Sequence, residues 1–423
     1  MSSSEVKSLA SLGVPDVFSS TSSSDVSEEA LGDESKSIVL SMIKQFSNNM
    51  DLSRVTFPTF VLEPRSFIER VTDFMTHPDL LIAASKVDDP LMRFVSVAKY
   101  YLSGWHIRPV GVKKPYNPVL GEFFRCKWQF DDGSHAYYIA EQVSHHPPVS
   151  AYYYTCPEHR VSIEGDLRPK SRFQFNSVMT YLQGGATITF EARDNEEYQI
   201  SYPNMYARGV LVGTMLLELG EHAFITCEKT GYRLDVTFHA KPIFGGKYNE
   251  ISGKIKKIAT NETVAELSGT WSDHMNIDRM AATIYPTGKN VLFDAKSATM
   301  MPKIVLPLEH QEKYESRRLW QHVTKGIQSR DLDLATSAKT KIEEAQRAAL
   351  RVRESESVTW KPRFFDVIKN DDGWRCKFLA NYKPAEGAEP AKEAEHKIAA
   401  VEKFMFDETP SYPTPHGMDQ PLE

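Results

Sequence analysis

The stretch that decides the fold is His135-Ala136-Tyr137-Tyr138-Ile139-Ala140-Glu141-Gln142-Val143, closing on Ser144-His145-His146-Pro147-Pro148. Its aromatic and β-branched content reads as a strand. Adjacent histidines on a strand point to opposite faces, so His145 and His146 are poor co-ligands for one metal. Pro147 and Pro148 must end the strand, because neither donates to a ladder, and the chain turns rigidly at a sheet margin. The two imidazoles are thereby held near a rim. There they fit either a structural strand end or an anion site, where their charge rises beside phosphate.

Outward from this run, a period of two extends from about residue 120 to 300. It shows in Ala186–Ala192, Val210–Leu219, Leu234–His239 and Met280–Tyr285. Short strands separated by Gly, Asn, Asp and Pro predict a large antiparallel sheet or barrel. Upstream, residues 66–84 and 89–103 read as two helices, the second opened by Asp89-Pro90. Downstream, residues 310–355 return to helix, with Ala335–Glu354 dense in strong helix formers. Ile38, Met42, Ile43 and Phe46 share one helical face with Met50, which suits a packed helix or a movable lid. Phe57-Pro58-Thr59-Phe60-Val61-Leu62 reads as extended, since Pro58 biases Phe57 away from helix. Residues 1–36 are rich in Ser, Asp and Glu and are expected to be disordered. No internal repeat is visible.

Composition narrows the function. The 423 residues are 41% hydrophobic and 25% charged, with a net charge of −6, ordinary for a globular protein. That balance argues against a nucleic-acid binder driven by global charge. Cys126, Cys156, Cys227 and Cys376 form no C-x-x-C pair, so reduced, cytosolic thiols are expected. The N-terminus lacks a signal-peptide core, and no apolar run of about 18 residues exists to span a bilayer. Membrane contact is expected to be peripheral. Asn261-Glu262-Thr263 is a sequon without a secretory signal.

Two further constellations carry chemistry. Val112-Lys113-Lys114-Pro115-Tyr116-Asn117-Pro118-Val119-Leu120-Gly121-Glu122 is a fixed loop. Its Lys114 and Asn117 suit a phosphate or zwitterionic headgroup, or simply a solvated turn. Lys339, Glu343 and Arg347 fall at i, i+4 and i+8, within about 80° of arc on a helix. They read as an ordinary salt-bridged surface or as a cationic pair that Glu343 orients toward phosphate. Cys227-Glu228-Lys229-Thr230-Gly231-Tyr232-Arg233 matches the C-x5-R spacing of thiol phosphatases. It sits between strand-like runs with one Gly, which a phosphate-cradling loop of amides does not resemble. No catalytic residue and no metal ligand is expected, and no Walker-type loop, G-x-S-x-G or H-E-x-x-H is present.

Glu141–Pro148, Lys113–Glu122 and the Lys339/Glu343/Arg347 helix, in that set and order, resemble three blocks of the oxysterol-binding-protein-related proteins. The resemblance spans roughly residues 50–360 and implies an α+β, mainly β fold: an incomplete antiparallel barrel around a lipid tunnel, with an N-terminal lid and flanking helices. It implies a tail at 1–36, a lid helix and extended segment at 37–65, a barrel core at 66–310, and a region at 311–423 completing the same domain. It implies that Lys114, Asn117, His145, His146, Lys339 and Arg347, with Glu343 holding the basic pair, bind phosphatidylinositol 4-phosphate at the tunnel mouth. Phe57–Glu63, Tyr100–His106 and Pro169–Phe173 look most like the subgroup that exchanges phosphatidylserine. There Phe57, Thr59, Val61, Lys114, Asn117 and Ser171 would contact that lipid, although Phe57 stands where the subgroup more often has Leu. Ile38, Met42, Ile43 and Phe46 would form the lid. The implied protein is a cytoplasmic, monomeric lipid exchanger at endoplasmic reticulum and plasma membrane contacts, with no cofactor beyond its lipids. A sterol exchanger and a non-transporting phosphoinositide sensor remain open beside it.

Overall fold

The computed structural model describes residues 14–15, 59–107, 113–174, 176–209, 216–242, 245–278, 290–368, 373–384 and 389–406. The expected lid residues Ile38, Met42, Ile43 and Phe46, together with Phe57 and the 1–36 tail apart from Val14-Pro15, lie outside them. So does the expected strand Met280–Tyr285.

Nineteen strands are described, in chain order: β1 (Val14–Pro15), β2 (Leu62–Ser66), β3 (Lys114–Tyr116), β4 (Phe123–Gln129), β5 (His135–His145), β6 (Pro148–Cys156), β7 (Val161–Gln174), β8 (Ser177–Phe190), β9 (Glu196–Ile200), β10 (Asn204–Arg208), β11 (Leu216–Cys227), β12 (Tyr232–His239), β13 (Glu250–Lys257), β14 (Thr263–Thr270), β15 (His274–Asp278), β16 (Val291–Asp294), β17 (Ile304–Val305), β18 (Phe365–Val367) and β19 (Trp374–Cys376). The longer helices are α1 (Pro78–Ser85), α2 (Pro90–Ser103), α3 (Gln321–Gln328), α4 (Leu332–Ser355) and α5 (Pro390–Phe406).

One antiparallel sheet takes fifteen of these strands, in the order β1-β17-β4-β5-β6-β7-β8-β10-β11-β12-β13-β14-β15-β16, with β9 bridging β8 and β11. Most neighbours are consecutive in sequence, so the sheet is a meander that needs only short turns. Residues from β4 through β16 contribute to a single apolar core, from Phe124 and Tyr138 round to Phe238, Met275 and Phe293. The sheet therefore curls around its own contents. Helices α1 and α2 enter that core through Leu81, Phe94, Val97 and Leu102. This is the mainly β, incompletely closed architecture that the motif order implies.

A second core covers the opposite face of β4–β6. Tyr137, Ile139, Val149 and Tyr153 meet Trp320, Val323, Ile342, Ala349, Phe378 and Met405 there. Alternate residues of β5 thus feed two cores, Ala136, Tyr138 and Ala140 inward and Tyr137 and Ile139 outward. Burial on both faces explains why this strand reads as nearly continuous apolar sequence.

Two local expectations are corrected. Residues 66–84 are not one helix: a turn at Phe67–Arg70 passes into a 3-10 segment at Val71–Met75, and α1 begins only at Pro78. Pro78 lacks an N–H and disfavours helix at His77. Thr72 and Thr76 donate to the carbonyls of Glu69 and Asp73, each at 2.7 Å, a local alternative to the helical ladder. The segment Thr59–Val61 is likewise a 3-10 turn rather than extended, with Thr59 Oγ1 3.1 Å from Thr336 Oγ1 of α4. Helix α2 is as expected, Asp89 accepting from the Met92 N–H at 2.8 Å. Among the described residues no helix is long and apolar enough to cross a membrane.

Candidate functional site: a cationic mouth above an apolar interior

The Lys113–Glu122 loop is placed by its neighbours on both sides. Strand β3 pairs in parallel with β2, Leu62 opposite Lys114 and Ser66 opposite Tyr116. At the far end, the Gly121 N–H donates to the Gln142 carbonyl and the Gln142 N–H to that of Glu122, at 2.9 and 2.8 Å. Gly121 has φ +79°, a conformation that a Cβ would strain. Glu122 is fully buried and accepts from Ser316 Oγ, Trp320 Nε1 and the Val119 N–H at 2.8–3.0 Å. Burial pushes its carboxyl up, against those hydrogen bonds.

The adjacent histidines stand where the sequence places them, at a turn between strands. β5 ends at His145, β6 begins at Pro148, and a register shift lies between Gln142 and Ser144. Ser144 Oγ donates to the Pro147 carbonyl across the turn at 2.7 Å. His146 is exposed and His145 is half-buried, their rings 4.6 Å apart and steeply inclined. Burial, reinforced by His146, holds the His145 imidazole down at about 4, with the Pro118 carbonyl acting in the other direction.

Helix α4 supplies the third block. Asp331 caps it by accepting from the Leu334 N–H at 2.9 Å. Gly326 of α3 lets it approach closely, since a Cβ there would lie 2.6 Å from the Ala335 nitrogen. Lys339 is buried and donates to Glu343 at 2.6 Å, while exposed Arg347 stands 3.7 Å from the other carboxylate oxygen. Glu343 thus sits between the two cations. Lys114 belongs to the same group: it is solvent-accessible yet ringed by protein, and desolvation and then Lys339 lower its pKa to about 8 against the pull of Glu343. Asn117 is exposed on the same loop.

Gln346, which charge patterning overlooks, ties the three blocks together. Its Oε1 accepts from the Leu120 N–H at 2.8 Å and its Nε2 lies 2.9 Å from His145 Nε2. Helical spacing offered a signal, because position 346 falls on the face of Lys339, Glu343 and Arg347.

On β2, beside Lys114 of β3, Glu63 follows Leu62 into a buried charge network. Arg65 spans Glu63 and Asp73, and Glu69 holds Arg317 at 2.6 Å and Lys303 at 3.5 Å. Glu69 is fully buried, which would raise its carboxyl, yet Arg317 and Lys303 hold it at about 2. Arg70 and Asp73 then edge a pocket otherwise walled by apolar groups, among them Phe67, Phe74, Trp105, Leu167 and Leu219. The expected lipid contacts Thr59 and Val61 are buried beside the mouth. Ser171 lies on another wall, its Oγ 2.8 Å from Thr180 Oγ1 across the β7–β8 ladder.

The C-x5-R segment has no phosphatase geometry. Cys227 is fully buried at the end of β11, burial pushes its thiol up, and Arg233 pairs with Asp235 at 2.7 Å. All four cysteines are buried and unbridged.

A curled meander with an apolar interior and a cationic rim defines a lipid-tunnel fold. The sequence profile of the oxysterol-binding protein family matches residues 39–386. The chain is 44% identical over 82% of its length to an oxysterol-binding protein homolog of Schizosaccharomyces pombe, covering 74% of that protein. It is 42% identical to oxysterol-binding protein homolog 7 of Saccharomyces cerevisiae, over 78% of this chain and 76% of that one. Identity to mouse oxysterol-binding protein-related protein 5 is 41%, over 83% of this chain and 40% of the mouse protein. Among solved structures, the Osh1 ORD domain in complex with ergosterol superposes with a TM-score of 0.65 at 22% identity, covering 85% and 88% of the two chains. The Osh3 ORD in complex with PI(4)P from Saccharomyces cerevisiae gives 0.62 at 17%, covering 85% and 92%. The chain belongs to the oxysterol-binding protein family, and its fold is that of the family's lipid-binding domain.

Proposed function

We propose that the protein exchanges phosphatidylserine for phosphatidylinositol 4-phosphate between membranes, one lipid at a time. The observation that carries this reading is that Gln346 joins the Lys113–Glu122 loop to His145, beside His146, on the same helix face that holds Lys339, Glu343 and Arg347, in a domain that also contains a mostly apolar pocket. Such a rim suits a doubly charged phosphate, with Asn117 adding a neutral donor and Glu343 orienting the basic pair. The apolar interior suits acyl chains. Two chains carry roughly 30 methylenes, each costing about 0.8 kcal/mol to leave in water. A cavity that removes this cost turns a prohibitive crossing of the cytosol into a diffusive one.

Phosphatidylserine is the assigned second cargo because of the Phe57–Glu63 and Pro169–Phe173 resemblance, with Phe57, Thr59, Val61, Lys114, Asn117 and Ser171 as its contacts. Two lipids sharing one cavity exclude each other, so a phosphoinositide gradient drives the other lipid by mass action. The protein works as a monomer, peripherally, where endoplasmic reticulum and plasma membrane approach each other. A lid of Ile38, Met42, Ile43 and Phe46 would cover the loaded cavity and meet the membrane when it is empty. Sterol is the competing second cargo, because Osh1 domains carry ergosterol or cholesterol.

The test is extraction from mixed liposomes followed by mass spectrometry of bound lipid, with His145→Ala/His146→Ala in parallel. Phosphatidylserine and phosphatidylinositol 4-phosphate from wild type, with only the phosphoinositide lost in the variant, supports exchange. Sterol in place of phosphatidylserine moves the assignment to a sterol exchanger. Stable phosphoinositide binding without transfer points to a sensor.

A further inference from the structure

Glu122 is a fully buried carboxyl group that has no cationic partner among the described residues. Charged groups on the neighbouring elements are engaged elsewhere. On β2, Arg65 pairs with Glu63. On β4, Arg125 pairs with Glu315 at 3.0 Å, and next to Ser316 the Arg317 guanidinium holds Glu69 at 2.6 Å. On β5, Glu141 accepts from the Arg363 and Phe364 N–H groups. Lys114 of β3 sits with Lys339 and Glu343, and His322 and Lys325 of α3 are exposed. What faces Glu122 is neutral: the Val119 N–H, the Trp320 Nε1–H and the hydroxyls of Ser316 and Ser66. Burying an ion without a counter-ion is costly, and a proton removes that cost.

The geometry separates the two oxygens. Oε2 receives two N–H donors, from Val119 at 3.0 Å and from Trp320 at 2.9 Å. Such groups only donate, so Oε2 carries no proton. Oε1 meets Ser316 Oγ at 2.8 Å. That hydroxyl has a second acceptor in reach, the Phe123 carbonyl at 3.2 Å, and one proton to give. Taken as a carboxylate, Glu122 accepts the Ser316 proton and the carbonyl does not. Taken as an acid, it closes a chain: Oε1–H donates to Ser316 Oγ, and Ser316 donates to the Phe123 carbonyl.

We propose that Glu122 is a positioning residue that holds the headgroup loop as a neutral carboxylic acid, with its proton on Oε1. The inference rests on reading the mouth as a phosphoinositide site. Glu122 fixes that loop twice. It takes the Val119 N–H directly, and it orients Trp320, whose ring stacks on Tyr116 at 4.7 Å. Tyr116 ends β3, which begins at Lys114. Burial pushes the Glu122 carboxyl up, in the direction that the proton requires. A bare carboxylate in these low-dielectric surroundings would instead repel the phosphate that the loop receives.

Infrared difference spectroscopy of the full-length protein at neutral pH reads the proton directly. Wild type minus Glu122→Gln is expected to show the C=O stretch of a protonated carboxyl, shifted in D2O. Glu122→Gln mimics the acid, because its oxygen accepts from Val119 and Trp320 while its NH2 donates to Ser316 Oγ. It should keep the melting temperature and the affinity for vesicles containing phosphatidylinositol 4-phosphate. Glu122→Met, similar in size, leaves both N–H donors unpaired. It should bind those vesicles about tenfold more weakly, the weight of one unmet buried donor, and melt earlier. Soluble inositol phosphate should rank the three proteins in the same order.

A carboxylate band in place of the acid band overturns the proposal. So does a Glu122→Gln protein that behaves like Glu122→Met, since a carboxylate accepting from Ser316 is not replaced by an NH2. Wild-type binding by Glu122→Met removes the positioning role and overturns it as well. Loss of fold in Glu122→Met beside an intact Glu122→Gln supports the same hydrogen-bonding role. If the acid band is present and Glu122→Gln melts as wild type does, while wild type ignores the phosphoinositide vesicles, the protonation stands and the phosphoinositide reading falls.

Discussion

Strands β4–β6 and strands β12–β15 belong to one sheet and follow one period, yet they live in different surroundings. The first group is covered on both faces, by the barrel core within and by α3, α4 and α5 without. The second is covered on one face only: β13 buries Ile251 and Ile255 and turns Ser252 and Lys254 outward. His145 and His146 hang from the doubly covered part and Lys339 and Arg347 from α4, which covers it, while Lys114 sits on β3, paired with β2. Most of the cationic rim is thus mounted where the scaffold is held from two sides. The singly covered wall closes the apolar core with its inner face alone.

The sharpest way to break this comparison is to change a charge on the outer face of each region. Ile139→Lys should cost more than about 4 kcal/mol, because Ile139 is fully buried and its new ammonium has no partner; urea unfolding measures it. Next comes Glu141→Ala. Glu141 accepts from the Arg363 and Phe364 N–H groups, both at 2.7 Å, anchoring the C-terminal region to β5. Leaving two buried donors unpaired should cost about 2–4 kcal/mol. Burial raises the Glu141 carboxyl to about 7. A raised folded-state pKa gives stability that is complete below the ordinary carboxylate range and is lost as pH rises through 7. The penalty of Glu141→Ala should therefore be larger at pH 5 than at pH 8 in the same unfolding assay.

A severalfold effect is expected at the rim. With the Lys114 pKa lowered to about 8, its charge fades as pH rises through that value. Binding to phosphoinositide vesicles should weaken between pH 7 and 9, and Lys114→Arg should flatten the decline because guanidinium stays charged. A flat wild-type profile would remove Lys114 from the headgroup site. The smallest effect belongs to the outer face of β13. Lys254→Gln removes only an exposed pair to Glu266 at 3.7 Å and should stay within about 0.5 kcal/mol of wild type. A large loss there would mean that the outer wall is not free.

The legible parts of the chain were those where local chemistry and global placement agree. Pro147-Pro148 ends β5 in any context, and Lys339/Glu343 meet because helical geometry puts them together. The region from 66 to 77 misled because its helical pattern competes with Pro78 and with two threonines that bond back to the main chain. Gln346 escaped notice for another reason. Its partners, Leu120 and His145, lie 226 and 201 residues away, and a neutral amide leaves no mark in a charge pattern. The buried network of Glu63, Arg65, Glu69 and Asp73 was hidden similarly, since Lys303 and Arg317 arrive only once the sheet has curled.

The four buried cysteines have a practical corollary for studying lipid binding. Burial raises the thiols of Cys156, Cys227 and Cys376, to about 12 for Cys156, and Cys126 is just as enclosed. A thiol that is neither ionised nor reachable reacts slowly with maleimides. A single cysteine introduced on the outer wall or rim would therefore take a fluorophore almost alone, with the native sequence serving as its own unlabelled background.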